Sequence, residues 1–174
     1  MASPMPDGPV SGPSAWYGQD LATSTEWMYT LSDTDLDELH GALGAVREKG
    51  LAIVDIGRAD FPLPRLGATL DALRGDLLRG RGFVVMRGLP LDRYSLEDAA
   101  ILYWGIGSYF GKTVPQNAKG HVLGHVTNLG RDQHDVNSRI YQTCARQEYH
   151  TDNCDVVSLL CLSKAKSGGL SSLV

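Results

Sequence analysis

The 174-residue sequence is short of cysteine, has no long apolar run and carries no strong excess of charge of either sign. Its three cysteines, Cys144, Cys154 and Cys161, are an odd number without C-x-x-C spacing, which fits reduced thiols better than a disulfide framework or a zinc site. They read as small hydrophobes. No apolar stretch approaches the roughly 18 to 20 residues that cross a bilayer. The opening, MASPMPDGPVSGPSAW, has neither a basic nor an apolar segment of the signal-peptide kind. A cytoplasmic location is the expectation. Lys and Arg number 16 against 20 Asp and Glu, a formal charge of -4 without a run of like charges, so neither nucleic acid nor a membrane surface is an expected partner.

What is present is ordinary for one globular domain with a real core: 43% hydrophobic and 21% charged residues. Residues 1–25 begin with Pro4, Pro6, Pro9 and Pro13 among Gly and Ser, a composition that buries little and reads as a disordered tail. The domain is expected over 26–174. LSDTDLDELHGALGAVREKG places Ser32 as an N-cap, Leu31 and Leu36 as a hydrophobic staple, and Gly50 as the stop of a helix. LAIVDIG reads as a short β-type run, LPRLGATLDALRGDLLRG as a second helix, and GFVVMRG as a buried strand. SLEDAAILYWGIGSYFG reads as a third helix capped by Ser95, with Asp98 three residues on. Gly105 and Gly107 fall inside that helical pattern, so they read as close packing and not as a dinucleotide loop. From Lys112 onward HVLGHVTNLG, RIYQTC and DVVSLLCLSKA read as short β segments. Helices first and strands later make the fold class α+β, with helices flanking a β-sandwich.

The candidate chemistry lies in QEYHTDNCD, where His150-Thr151-Asp152 is the single His-x-Asp of the chain. On an extended segment residues i and i+2 share a face, so an imidazole and a carboxylate can converge on one metal ion. With a third ligand they would form the two-His-one-carboxylate triad of non-haem Fe(II). A strand-end His bonded to a turn Asp gives the same tripeptide. Gln142, Gln147 and Tyr149 flank the motif and are not counted as sites. His121 and His125, four apart in a β-type segment, read as surface or structural. His134, between Asp132 and Asp135, reads as part of a solvated turn. Cys154 has no visible thiolate-stabilising surroundings.

The stretch HTDNCDVVSLLCLSKAKSGGLSSLV resembles the TauD/TfdA (taurine dioxygenase) family of Fe(II)- and 2-oxoglutarate-dependent dioxygenases, in which His-Thr-Asp precedes a buried strand and a Gly-Gly turn. GFVVMRGLP and the helix after Ser95 resemble earlier elements of the family, so the likeness covers roughly residues 80 to 174. It implies an incomplete double-stranded β-helix, a jelly roll of the clavaminate synthase-like kind, with flanking N-terminal helices. It implies His150 and Asp152 as metal ligands, Fe(II) as cofactor and 2-oxoglutarate as cosubstrate. Ser171, two residues past Gly168-Gly169, stands where the family commonly has a Thr that holds 2-oxoglutarate. A small-molecule substrate and O2 are the implied partners.

The family's second metal-binding His and its 2-oxoglutarate-pairing Arg lie well beyond the Gly-Gly turn. The sequence is therefore expected to be a truncated dioxygenase chain lacking both. The alternative is an inactive fragment that acts as an interaction partner of an intact homologue. A cupin-like protein that binds a metal without redox chemistry is the third reading.

Overall fold

The computed structural model describes residues 8–115, 122–132, 134 and 140–174. They group into two compact units, Met1–Gly111 with Ser158–Val174, and Lys112–Val157. In the first unit the elements run α1 (Gly18–Leu21), β1 (Met28–Thr30), α2 (Asp33–Lys49), α3 (Leu66–Arg79), β2 (Val85–Arg87) and α4 (Leu96–Gly107), with 3-10 turns at Ile53–Asp55 and Leu91–Arg93. Among the described residues no helix is long and apolar enough to cross a membrane.

The helix ends form where the sequence places caps. Ser32 Oγ accepts from the Asp35 N–H at 3.3 Å, and Asp35 Oδ2 accepts from the Ser32 N–H at 2.9 Å, a reciprocal box that satisfies two otherwise orphaned donors. The same Oδ2 also takes the Ser32 and Tyr29 hydroxyls, each at 2.8 Å. Gly50 ends α2 with φ 62°, a left-handed position that glycine fills without a Cβ penalty. Ser95 Oγ accepts from the Asp98 N–H at 3.1 Å and starts α4. Asp98 in turn pairs with Arg47 of α2, so one carboxylate serves both a cap and a helix–helix contact.

Burial pushes both carboxyls up, and their partners outweigh it. For Asp35 these are the Ser32 backbone and hydroxyl, Tyr29 and the charge of Arg65; for Asp98 they are Ser95 and Arg47. Each is held below the usual carboxylate range. A depressed folded-state value makes the contribution to stability complete above the unfolded value, about 3.9, and lost as pH falls through the folded one. Thermal denaturation followed by circular dichroism is therefore expected to show a flat midpoint from neutral pH to about pH 5 and a fall below about pH 4. Ser32→Ala should lower stability by about 1 kcal/mol at neutral pH. A midpoint that rises on acidification would contradict this assignment.

The core gathers Leu39, Leu43 and Val46 of α2, Leu66 and Leu70 of α3, and Ile101, Leu102 and Trp104 of α4 around the connector residues Ile56, Phe61 and Leu63. Each such side chain contributes about 1.5 to 3 kcal/mol by leaving water. The connector carries backbone polar groups into this apolar space, and Trp104 of α4 and Tyr109 just past its end satisfy them. Trp104 Nε1 donates to the Ile56 carbonyl at 2.9 Å, the Tyr109 hydroxyl donates to the Phe61 carbonyl at 2.9 Å, and the Leu63 N–H donates to Tyr109 Oη at 2.8 Å. Gly105 is the point of closest approach, where a Cβ would run into the Phe61 ring, whereas Gly107 faces open space. Helix α3 is capped from a distance: the Glu38 carboxylate accepts the N–H groups of Arg65 and Leu66, the latter at 2.9 Å.

Strands β1 and β2 pair in parallel, Met28 with Val85, Tyr29 with Met86 and Thr30 with Arg87. Before them, Trp16 donates its indole N–H to the Arg81 carbonyl at 3.0 Å and meets Phe83 edge-on, with ring centroids 5.2 Å apart. Contacts of the first unit therefore reach back to Trp16.

Four expectations change. LAIVDIG forms a 3-10 turn at Ile53–Asp55 and not a β-type segment, because its Ile56 carbonyl is claimed by Trp104 and no strand offers it a ladder. GFVVMRG does contain a strand, but its first two residues are half-buried and Arg87 is exposed. Among the described residues after Gly111 no strand forms, and Ile140–Gln142 is a 3-10 turn. Alternating apolar residues give a segment the capacity to pair, and a strand exists only where a partner completes the ladder. The cysteines are free thiols, as expected, but all three are exposed and none packs as a small hydrophobe.

Candidate metal centre

His150 and Asp152 lie in the unit Lys112–Val157, on a segment without regular secondary structure. His150 Nε2 is 3.9 Å from Asp152 Oδ1, and the two side chains are 48% and 52% exposed. The imidazole is fixed at both nitrogens. Nδ1 lies 2.8 Å from the Glu148 carbonyl oxygen, and Nε2 lies 3.0 Å from the side-chain nitrogen of Gln147. A carbonyl oxygen can only accept, so Nδ1 carries the hydrogen and the Nε2 lone pair points outward, toward the Gln147 amide and the side of Asp152.

This is the tautomer a metal ligand needs. A histidine whose second ring nitrogen donates to a backbone carbonyl is held in orientation and made more basic at the ligating nitrogen. Two cis ligand atoms at about 2.1 Å from one ion are about 3 Å apart. Asp152 therefore needs a side-chain rotation to close the remaining gap, and its exposure leaves room for one. Among the described residues no third His, Cys, Asp or Glu joins the pair.

The other expected participants are distributed as follows. Ser171 is exposed and belongs to the unit that contains Ser158–Val174. Before it, Gly168 and Gly169 have φ of 71° and 68°, two consecutive values in the left-handed region that glycine takes without a Cβ penalty. The apolar run after the motif is not buried: Val157 and Leu159 are exposed, and the run is held through Ser158, whose carbonyl accepts from the Tyr103 hydroxyl at 2.6 Å. His125 and His134 are exposed, with the His134 N–H donating to Asp132 Oδ1 at 2.9 Å in a local turn. His121 and Asp135 lie outside the described residues. Gln147, a flanking residue not counted as a site from the sequence, and the backbone of Glu148 both contact the ring. The spacing of three between Gln147 and His150 was the available signal for the first, while a backbone carbonyl such as that of Glu148 leaves no mark in a sequence.

Residues 36–174 match the family model described as "Taurine catabolism dioxygenase TauD, TfdA family". The chain belongs to the TauD/TfdA family. Two curated relatives within reach of it are FR-33289 synthase of Streptomyces rubellomurinus, 29% identical over 164 residues, and taurine hydroxylase-like protein SAT17 of Stachybotrys chartarum, 31% identical over 173 residues. The first alignment covers 92% of this chain and 48% of the relative, the second 95% and 45%. The chain thus spans about half the length of the curated relatives it matches. Membership of the TauD/TfdA family implies a jelly-roll dioxygenase fold, and the helices and parallel strand pair of the first unit do not conflict with it.

Proposed function

We propose that this protein is an Fe(II)- and 2-oxoglutarate-dependent dioxygenase that hydroxylates or oxidatively cleaves a small organic acid or amine, with residues 26–174 in its dioxygenase domain and a double-stranded β-helix as the core of that domain. The supporting observation is the His150 ring, held through Nδ1 by the Glu148 carbonyl with its Nε2 lone pair directed to the side where Asp152 lies two residues on. Bound Fe(II) with 2-oxoglutarate supplies the oxidising chemistry, coupling reduction of O2 and decarboxylation of the cosubstrate to removal of hydrogen from the substrate.

The residues of this chain provide placement. His150 offers a neutral nitrogen donor in a fixed orientation, and Asp152 offers an anionic oxygen that offsets part of the cation's charge. The Glu148 carbonyl keeps the ring from turning when the ligating nitrogen is pulled toward the ion. Ser171 provides a hydroxyl that can donate to a carboxylate oxygen of 2-oxoglutarate. It is shorter by a methyl group than the family's usual Thr and so less constrained at χ1. The taurine in one relative's name makes small amino acids and organic acids, taurine first, the substrates to screen.

The protein, supplied with Fe(II) and 2-oxoglutarate in air, is expected to release succinate, and removal of the metal by chelation should stop that release. Under anaerobic conditions, addition of 2-oxoglutarate to the Fe(II)-loaded protein should produce a visible metal-to-ligand charge-transfer band. Metal loading with neither band nor succinate would rule the reading out in favour of a non-redox metal protein.

A further inference from the structure

The Gln147 side chain occupies the lone pair that the metal centre requires. With the hydrogen on Nδ1 committed to the Glu148 carbonyl at 2.8 Å, His150 Nε2 has no proton to give. Its neighbour 3.0 Å away is the Gln147 side-chain nitrogen, which carries two hydrogens and no acceptor capacity. The contact has one sense only: Gln147 donates and His150 accepts. A cation at Nε2 and an N–H donor at the same lone pair exclude each other, because each needs the same electron pair along nearly the same direction.

We propose that Gln147 is a positioning residue whose amide competes with a metal ion for the lone pair of His150 Nε2. This rests on His150 being a ligand, as proposed above. Glu148 and Gln147 then have separate tasks. The Glu148 carbonyl orients the ring with or without metal, and its bond survives ligation. The Gln147 amide and a metal ion are alternatives at Nε2, and where a metal would hold that lone pair the amide would be left with two N–H groups and a carbonyl oxygen, three residues from the ligand. Because Glu148 already fixes the ring, the net effect of Gln147 on the equilibrium is competition. One neutral hydrogen bond in a half-exposed setting is worth about threefold to tenfold in an equilibrium constant.

The test compares the protein with Gln147→Leu, which keeps the bulk and removes the donor, in two measurements. Anaerobic titration with Co(II), followed by its visible absorption, gives the metal affinity, and 15N NMR of the imidazole in the metal-free protein reports on the lone pair of Nε2. The variant is expected to bind Co(II) about threefold to tenfold more tightly, with the Nε2 resonance moved in the direction of a lost hydrogen bond and the Nδ1 resonance unchanged. Unchanged or weaker affinity, or an unmoved Nε2 resonance, would overturn the assignment of Gln147. His150→Ala separates this from failure of the metal centre itself. If that variant binds Co(II) as the parent does, His150 is not a ligand and both readings fall. If it loses binding while Gln147→Leu changes nothing, only the role of Gln147 falls.

Discussion

Replacement of His150 by alanine is expected to reduce Fe(II)-dependent succinate release by more than about 100-fold, since loss of residues that merely support a ligand already costs about 10- to 100-fold. The variant removes the nitrogen donor whose orientation the Glu148 carbonyl maintains. Its effect on folding should be small, because the side chain is about half exposed and its contacts with Gln147, Glu148 and Asp152 lie within three residues along the chain. Loss of activity with an unchanged melting temperature is therefore the expected pair of results. His150→Gln is the informative companion: it retains bulk and a polar tip but offers an amide in place of an imidazole nitrogen, and it should remain inactive. Full activity in either variant would remove His150 from the metal centre.

The largest effect on stability is expected at Phe61. Its side chain is 0% exposed and packs on the α4 backbone at Gly105, while its carbonyl accepts from the Tyr109 hydroxyl. Phe61→Ala opens a cavity between the connector and α4 and should cost about 3 to 5 kcal/mol, a large share of the stability of an ordinary domain. Gly105→Ala is the opposite perturbation, adding a methyl where the Phe61 ring already lies, and should cost about 1 to 3 kcal/mol. In the double variant the truncated side chain clears the space that the new methyl needs, so the combined loss should be smaller than the sum of the two. Urea denaturation of the four proteins measures each quantity. A cost for Phe61→Ala below about 1 kcal/mol, or strict additivity, would mean that the two residues do not share a packing site.

The parts of the fold that were legible in the sequence are those governed by local chemistry. Ser32 and Ser95 mark the starts of α2 and α4 because a cap needs only a hydroxyl and the N–H three residues later. Gly50 marks a stop because a positive φ is a property of one residue. The start of α3 was not legible as a cap, since its donors are met by Glu38 from another helix, and no spacing rule encodes that meeting. Ile53–Asp55 was misread for a related reason: β-branched residues favour a strand only when neighbours complete it. The same holds for the apolar segments past Lys112. At the candidate metal centre the residue types were visible in HTD, and the family resemblance gave them the meaning proposed for them. The state of the imidazole was not visible, because the Glu148 carbonyl that determines it belongs to the backbone.

The pairing of Met28 with Val85 brings together residues about 57 positions apart, with α2 and α3 in the intervening chain. Closing so long a loop has an entropic cost that three residues of ladder cannot repay by themselves. Helices α2 and α3 shorten the path between the two strands, so α2, whose N-terminal cap is local, is expected to form before the ladder. The β1–β2 seam is thus placed as a latch, a short ladder whose closure depends on the helical core that spans the chain between its strands.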